Sequence, residues 1–448
     1  MLSTDDSRAA AERLVERAIR AGADCADSLY AGTRSTSVEV RFGKLEHADR
    51  SESQEIGLRL FLGSRSASVS SSDLSDEALG ELVERALAMA GEAPEDPFAG
   101  LAPSKLLAST PFPDLDSVDR QEPDPAWLRH QALEAEAAAL AVDKVTNSSG
   151  GSAGASASTT ALATSSGFAG AFTATGFSCS AGVIAGEGGA MQRDHAWHSA
   201  RHLADLDPAE RIGRLAGQRA VARLNPVRPK SGAMPVLFDP RVSHSFLGHL
   251  SGAISGSSVA RKSSFLQDRL GSSVFGEGIT IVDDPLRRRG LRSRAFDAEG
   301  VAVSRRQIVA GGELRTWMAE SASARQLKIA PTGHAARGPG SAPGVSPSNL
   351  YIEPGKRSRE ELLAAFPEAI LVTELIGHGV NPVTGDYSRG AAGFLVSGGE
   401  IGPAVQEITI ASNLIDMFAT LEAGSDLELR RGIDAPTLLV PMMTVASS

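Results

Sequence analysis

Between Val145 and Gly186 the chain carries no charged residue. Ser, Thr, Gly and Asn are spread through this stretch, so it nowhere supplies the roughly 20 consecutive apolar residues that a spanning helix needs. What remains are small and β-branched residues, broken at Gly150-Gly151, Gly167 and Gly176. That pattern reads as successive antiparallel strands. The chain is therefore expected to be soluble, with no membrane partner and a strand-rich middle.

The flanks of this stretch organise the rest. Residues 5–21 place Leu14, Val15, Ala18 and Ile19 on one helical face, and Gly22 is a natural residue to follow the end. Val38, Val40 and Phe42 alternate with polar residues, Ile56, Leu58, Leu60 and Leu62 recur at every second position, and Gly63-Ser64 turns the chain into Arg65–Ser71. A second helix starts near Ser75, with Leu74 and Leu79 placed as a hydrophobic staple. Residues 1–92 thus read as a small α+β domain. Residues 93–125 hold seven of the 23 prolines and read as a connector. Residues 126–231 contain an Ala-rich helix from Trp127, the uncharged strands, and a helix over Pro208–Leu224 with Pro208 as its first residue. Residues 232–448 open with the strand Pro235–Phe238 and a helix capped by Asp239, then turn Gly-rich and strand-dominated. The fold class is α+β, with a small N-terminal domain and a large C-terminal β-rich domain.

The formal net charge of −10 disfavours nucleic acid as a partner, because an acidic surface repels phosphate. A cluster at Arg287, Arg288, Arg289, Arg292 and Arg294 reads as a solvated turn with ion pairs. Cys25 and Cys179 lack any paired spacing and read as small buried hydrophobes. The polar N-terminal residues lack the apolar core of a secretory signal, so a cytoplasmic location is expected.

Three stretches could carry chemistry. His244-Ser245-Phe246-Leu247-Gly248-His249 places two histidines on the helix after Asp239. They are five positions apart, about 140° around an ideal helix, so joint metal ligation needs a bulge or an early helix end. Ser245 cannot act as a general base in the way a carboxylate does. His195, His198 and His202 read as histidines on a strand or at its edge, because alternation separates the first two. Gly377–Gly390 demands tight turns, and His378, Asn381, Asp386, Tyr387 and Ser388 are candidate contacts for a peptide groove. The chain has neither a phosphate loop nor a nucleophile elbow.

Four stretches together resemble the TldD/PmbA metallopeptidase family, on its PmbA (TldE) side. They are Gly248–Gly256, Lys262–Leu266, Gly377–Gly390 and Glu407–Phe418, and the likeness extends over nearly the whole chain. The resemblance implies assembly of a TldD-like with a PmbA-like subunit around a chamber where unfolded peptides are cleaved. In that family the TldD-like subunit holds zinc through an H-E-x-x-x-H helix and a cysteine near the C-terminus. Here His244 and His249 match the two histidines, Ser245 replaces the glutamate, and Ala435 lies in the segment expected to hold the cysteine. The resemblance therefore implies a helper subunit with no catalytic residue of its own, a degenerate metal pair at His244 and His249, and zinc in the partner. In isolation it allows a homodimer. Two alternatives stay open: an independent zinc metallohydrolase using His244, His249 and a ligand such as His378, and the regulatory binding role suggested by the family's older label, modulator of DNA gyrase.

Overall fold

The computed structural model describes residues 1–447. Helix α1 spans Thr4–Arg20, capped by the Ser3 hydroxyl accepting from the Asp6 amide, and α2 spans Asp76–Glu92, capped by Ser75. Gly22 follows α1 with a φ of +108°, the conformation that ends helices at little cost when glycine supplies it. Strands β1 (Cys25–Arg41), β2 (Lys44–Leu62) and β3 (Arg65–Ser71) form a meander. Helix α3 (Pro125–Leu140) precedes β4 (Val145–Thr164), β5 (Ala169–Ala185) and β6 (Gln192–Ala200), so the uncharged stretch does fold as long antiparallel strands. Helix α4 runs over Ala209–Ala222, with Pro208 in the cap position rather than inside the helix.

All six strands belong to one antiparallel sheet, in the order β3-β2-β1-β4-β5-β6. Residues 1–92 and 126–231 are thus two sequence blocks that share a sheet. One face is covered by helices. Leu14 and Val15 of α1 and Leu79 and Leu82 of α2 bury Ile56, Leu58 and Leu60, while Leu128 and Ala132 of α3 bury Val38 and Val40. Helices α3 and α4 approach closely because Gly213 has no side chain; a Cβ there would lie 1.9 Å from the carbonyl oxygen of Ala135. Cys179 is buried beneath these two helices, and burial pushes its thiol up to about 12.

The other face of the sheet meets the C-terminal region. Leu29 and Leu162 pack with Leu115 of the connector and Phe296. Beside them, Asp27 accepts from Arg59 Nε at 2.9 Å and pairs with Arg337, and Arg59 reaches Glu299 at 3.3 Å. Glu299 in turn accepts from the Ser321 amide at 2.8 Å. All four charged side chains are buried. The arginine turn is ion-paired, but its partners come from elsewhere than the neighbouring Asp283 and Asp284. Arg288 pairs with Asp114 of the connector, and Arg289 pairs with Asp116 and Asp205.

In the C-terminal region β7 (Gly232–Phe238) runs parallel to Glu368–Ile376 and antiparallel to Leu438–Ser447. Asp386–Ser397 and Glu400–Asn413 extend this sheet. Ile408–Ala411 then pairs with Thr444–Ser447, closing the five long strands into a ring. Between 256 and 352 the strands are short, five residues at most, and form a separate five-stranded sheet with Ile433–Asp434 and an isolated pair at 335–345. The core centres on aromatic side chains. Phe238 meets Phe246 edge-on at 4.8 Å, and Phe275 stacks on Phe418 at 4.4 Å. Among the described residues no helix is long and apolar enough to cross a membrane.

Candidate functional site

Asp239 accepts from the Arg241 amide at 3.0 Å and starts a short helix α5, Pro240–Ser243. The chain kinks at His244 and continues as α6, Ser245–Ala253. The single helix expected through both histidines is therefore broken at the first of them. Phe246, Leu247 and Leu250 anchor α6 in the core. His244 lines a cleft next to Arg431, whereas His249 turns its ring edge-on to Tyr387, 5.9 Å away.

Both rings are partly buried, and His244 Nδ1 and His249 Nε2 have no hydrogen-bond partner. Burial and the nearby Arg389 push His249 down to about 4, and burial and Arg431 lower His244. Each is therefore a neutral imidazole at neutral pH, the form that ligates a metal. The donor set around them does not complete a metal site. The Ser245 hydroxyl donates to the Val242 carbonyl at 2.6 Å. The Ala435 segment does lie against the kink, since Ser243 Oγ donates to the Ala435 carbonyl at 3.1 Å, but its side chain is a buried methyl group. The Asp434 carboxylate is taken up by the Arg431 and Gly432 amides. Among the described residues no group of three or more His, Cys, Asp or Glu side chains could hold a metal ion. The residues present do not fit a resident zinc.

The His249 geometry has a pH consequence. Its folded pKa lies below the unfolded value of about 6.5, so the unfolded chain binds the extra proton first. Stability from the neutral ring is complete above about pH 6.5 and is lost as pH falls toward about 4. A His249→Leu variant should show a flatter stability profile across that window in thermal melts. Identical slopes for the two proteins would contradict the assignment.

The glycine-rich loop joins Glu368–Ile376 to Asp386–Ser397. Asn381 and Asp386 are largely spent on the loop itself. Asn381 Oδ1 accepts from the Val383 amide at 2.9 Å, and Asp386 accepts from Thr384 Oγ1 at 2.6 Å and from Asn413 Nδ2 at 3.2 Å. The Ser388 amide donates to the Gly379 carbonyl at 2.7 Å, and a Cβ at Gly379 would collide with the Ser388 carbonyl at 1.6 Å. His378 and Ser388 are exposed. Tyr387 is different: it is only 1% exposed, so it belongs to the core beside His249 and cannot line an open groove. Burial pushes its hydroxyl up to about 12, against the opposing pull of the nearby Arg389.

A cleft of about 930 Å³ opens where β6 and α4 face the α5 kink and residues 426–431. It is rich in charge, and most of that charge is paired. Arg223 pairs with Glu374, Arg241 with Asp194, Arg359 with Asp239, and Arg430 with Asp207. His195 and Trp197 enter from β6, with outward-facing side chains as strand alternation predicts, and His198 Nδ1 instead accepts from the Asp207 amide. The sequence reading missed this cleft, because its residues are scattered from Ser149 to Arg431.

The chain belongs to the PmbA/TldA metallopeptidase family: residues 26–90 match its domain 1, residues 119–224 its central domain and residues 231–447 its C-terminal domain. It is 39% identical over 425 residues to the metalloprotease PmbA of Escherichia coli O157:H7, covering 94% of this chain and 92% of that one. A crystal structure from Bacteroides thetaiotaomicron, described as a modulator of DNA gyrase, is 26% identical with a TM-score of 0.91 and full coverage of both chains. TldE from Thermococcus kodakarensis has the same fold, with a TM-score of 0.85 at 20% identity over 97% of this chain and 99% of that one.

Proposed function

We propose that this chain is the non-cutting subunit of a two-chain metallopeptidase that processes unfolded peptides in the cytoplasm. In this reading a related TldD-like chain carries the zinc and its base, and this chain completes the enclosure that holds the peptide. The observation that carries the reading is the incomplete donor set at the kink. Two neutral imidazoles stand beside a serine already hydrogen-bonded to the backbone and an alanine methyl, so no carboxylate is free to activate a water. The name PmbA metalloprotease belongs to relatives of similar length, which supports a place in proteolysis. The gyrase description belongs to the Bacteroides protein, and an acidic chain with net charge −10 gives it no electrostatic support through DNA.

The test is titration of this chain into a fixed amount of a TldD-like chain, with zinc analysis of each. Peptidase activity should rise to a plateau at a fixed stoichiometry, with the metal in the partner. Stoichiometric zinc in this chain alone, with peptidase activity that vanishes in His249→Ala, would replace the helper role by an independent metallohydrolase.

A further inference from the structure

We propose that the cleft beside β6 is a carboxylate-binding subsite, in which Arg219 and Arg431 take the C-terminal carboxylate of a peptide and Trp197 takes the adjoining side chain. The proposal rests on the peptide-handling role above and gives that role a location.

Three guanidiniums that line this cleft form no ion pair: Arg193, which is exposed to solvent, and Arg219 and Arg431, which are not. Arg219 Nη1 donates to the His195 carbonyl at 3.1 Å, and Arg431 Nη1 donates to the Pro240 carbonyl at 3.2 Å. Neither Arg219 nor Arg431 reaches an Asp or Glu within ion-pair distance, whereas Arg211, Arg223, Arg241, Arg359 and Arg430 all do. Both are half-buried. Burial, followed by the adjacent Arg241, lowers Arg219 to about 10, and burial also lowers Arg431. Asp434 near Arg431 and Asp194 near Arg219 offset part of the cost of burial without pairing, and an incoming anion would offset more of it. In a chain with a net charge of −10 this local excess of positive charge is against the trend.

The surroundings favour a peptide over a small inorganic anion. Arg431 lies over the indole of Trp197 at 5.6 Å, and that indole is 43% exposed, so an apolar wall adjoins the cations. The cleft volume of about 930 Å³ is far more than a single ion fills. Strand β6 is the last strand of its sheet, and a terminal strand can accept an extended chain by β-addition. A forked guanidinium matches a carboxylate in two parallel hydrogen bonds, which gives direction to the bound end.

The experiment uses the full-length chain and calorimetric titration with four probes. These are a hexapeptide without acidic side chains as its free acid, the same peptide as its C-terminal amide, that amide with one internal Glu, and inorganic phosphate. The free acid should bind about tenfold or more tightly than the amide. The preference should weaken with salt and disappear in both Arg219→Gln and Arg431→Gln, while Trp197→Ala should weaken both peptides and keep the preference. Binding of the Glu-containing amide as tightly as the free acid would keep the carboxylate subsite but move its source to a side chain, overturning the C-terminal assignment. Equal affinity for acid and amide, or competition by phosphate without any peptide preference, would overturn the subsite. The helper role fails by a different measurement, the absence of activation of the TldD-like chain, so the two failures are distinguishable.

Discussion

An Asp27→Ala variant should unfold with about 3–5 kcal/mol less free energy than the parent at neutral pH, because it strands Arg337 and half-strands Arg59 inside the protein. The network is neutral as it stands, with Asp27 and Glu299 balancing the two guanidiniums. Burial alone would raise the Asp27 carboxyl, but Arg337 and Arg59 outweigh it and hold it below the ordinary carboxylate range. A depressed folded pKa contributes stability that is complete above the unfolded value of about 3.9 and is lost as pH falls toward the folded one. The gap between parent and variant should therefore be widest near pH 7 and shrink at pH 3. Urea titrations at both pH values measure it. A gap below about 1 kcal/mol at pH 7 would mean the network behaves as an exposed pair does.

The second large effect is expected at Phe418. This ring is fully buried, stacked on Phe275, and within 6.4 Å of Phe246 on α6. Phe418→Ala should cost about 3–5 kcal/mol, since a void among rigid aromatic rings cannot collapse fully. The loss should be regional. Amide exchange should accelerate in α6 and the ring-closed strands of the C-terminal region, with β1 to β5 less affected. A loss below about 1 kcal/mol, or acceleration confined to β1–β5, would refute the placement of Phe418 at the centre of that core.

Much of the fold is legible in local chemistry. Ser75 and Asp239 start helices because their side chains accept the orphan amides of the first turn, and the uncharged stretch forms strands because small and β-branched residues suit a pleated surface. Caps and alternation act over a few residues, so a reader of the sequence can use them. The pairing of β1 with β4 is not of this kind. Asp27 faces Thr164 across more than a hundred residues, and nothing in either segment names the other. The buried charge network is similar: Asp27 and Arg337 are 310 positions apart. One signal was present, since Arg59 interrupts an apolar run between Leu58 and Leu60. At the candidate site, the histidine pair and the replaced glutamate were legible through the family resemblance. The kink at His244 and the burial of Tyr387 were not, because both are set by packing against distant strands.

The pairing of β1 with β4 also governs how this protein comes into being. A ribosome releases α1, β1, β2, β3 and α2 well before it has made β4. During that interval the 17-residue β1 has hydrogen bonds on one flank only, from β2. Such a half-dressed strand is an invitation to stick to any other extended chain nearby. The nascent polypeptide can begin to cover that flank once Gly151, the partner of Val40, has emerged, and can cover it in full only after Thr164, the partner of Asp27, has emerged.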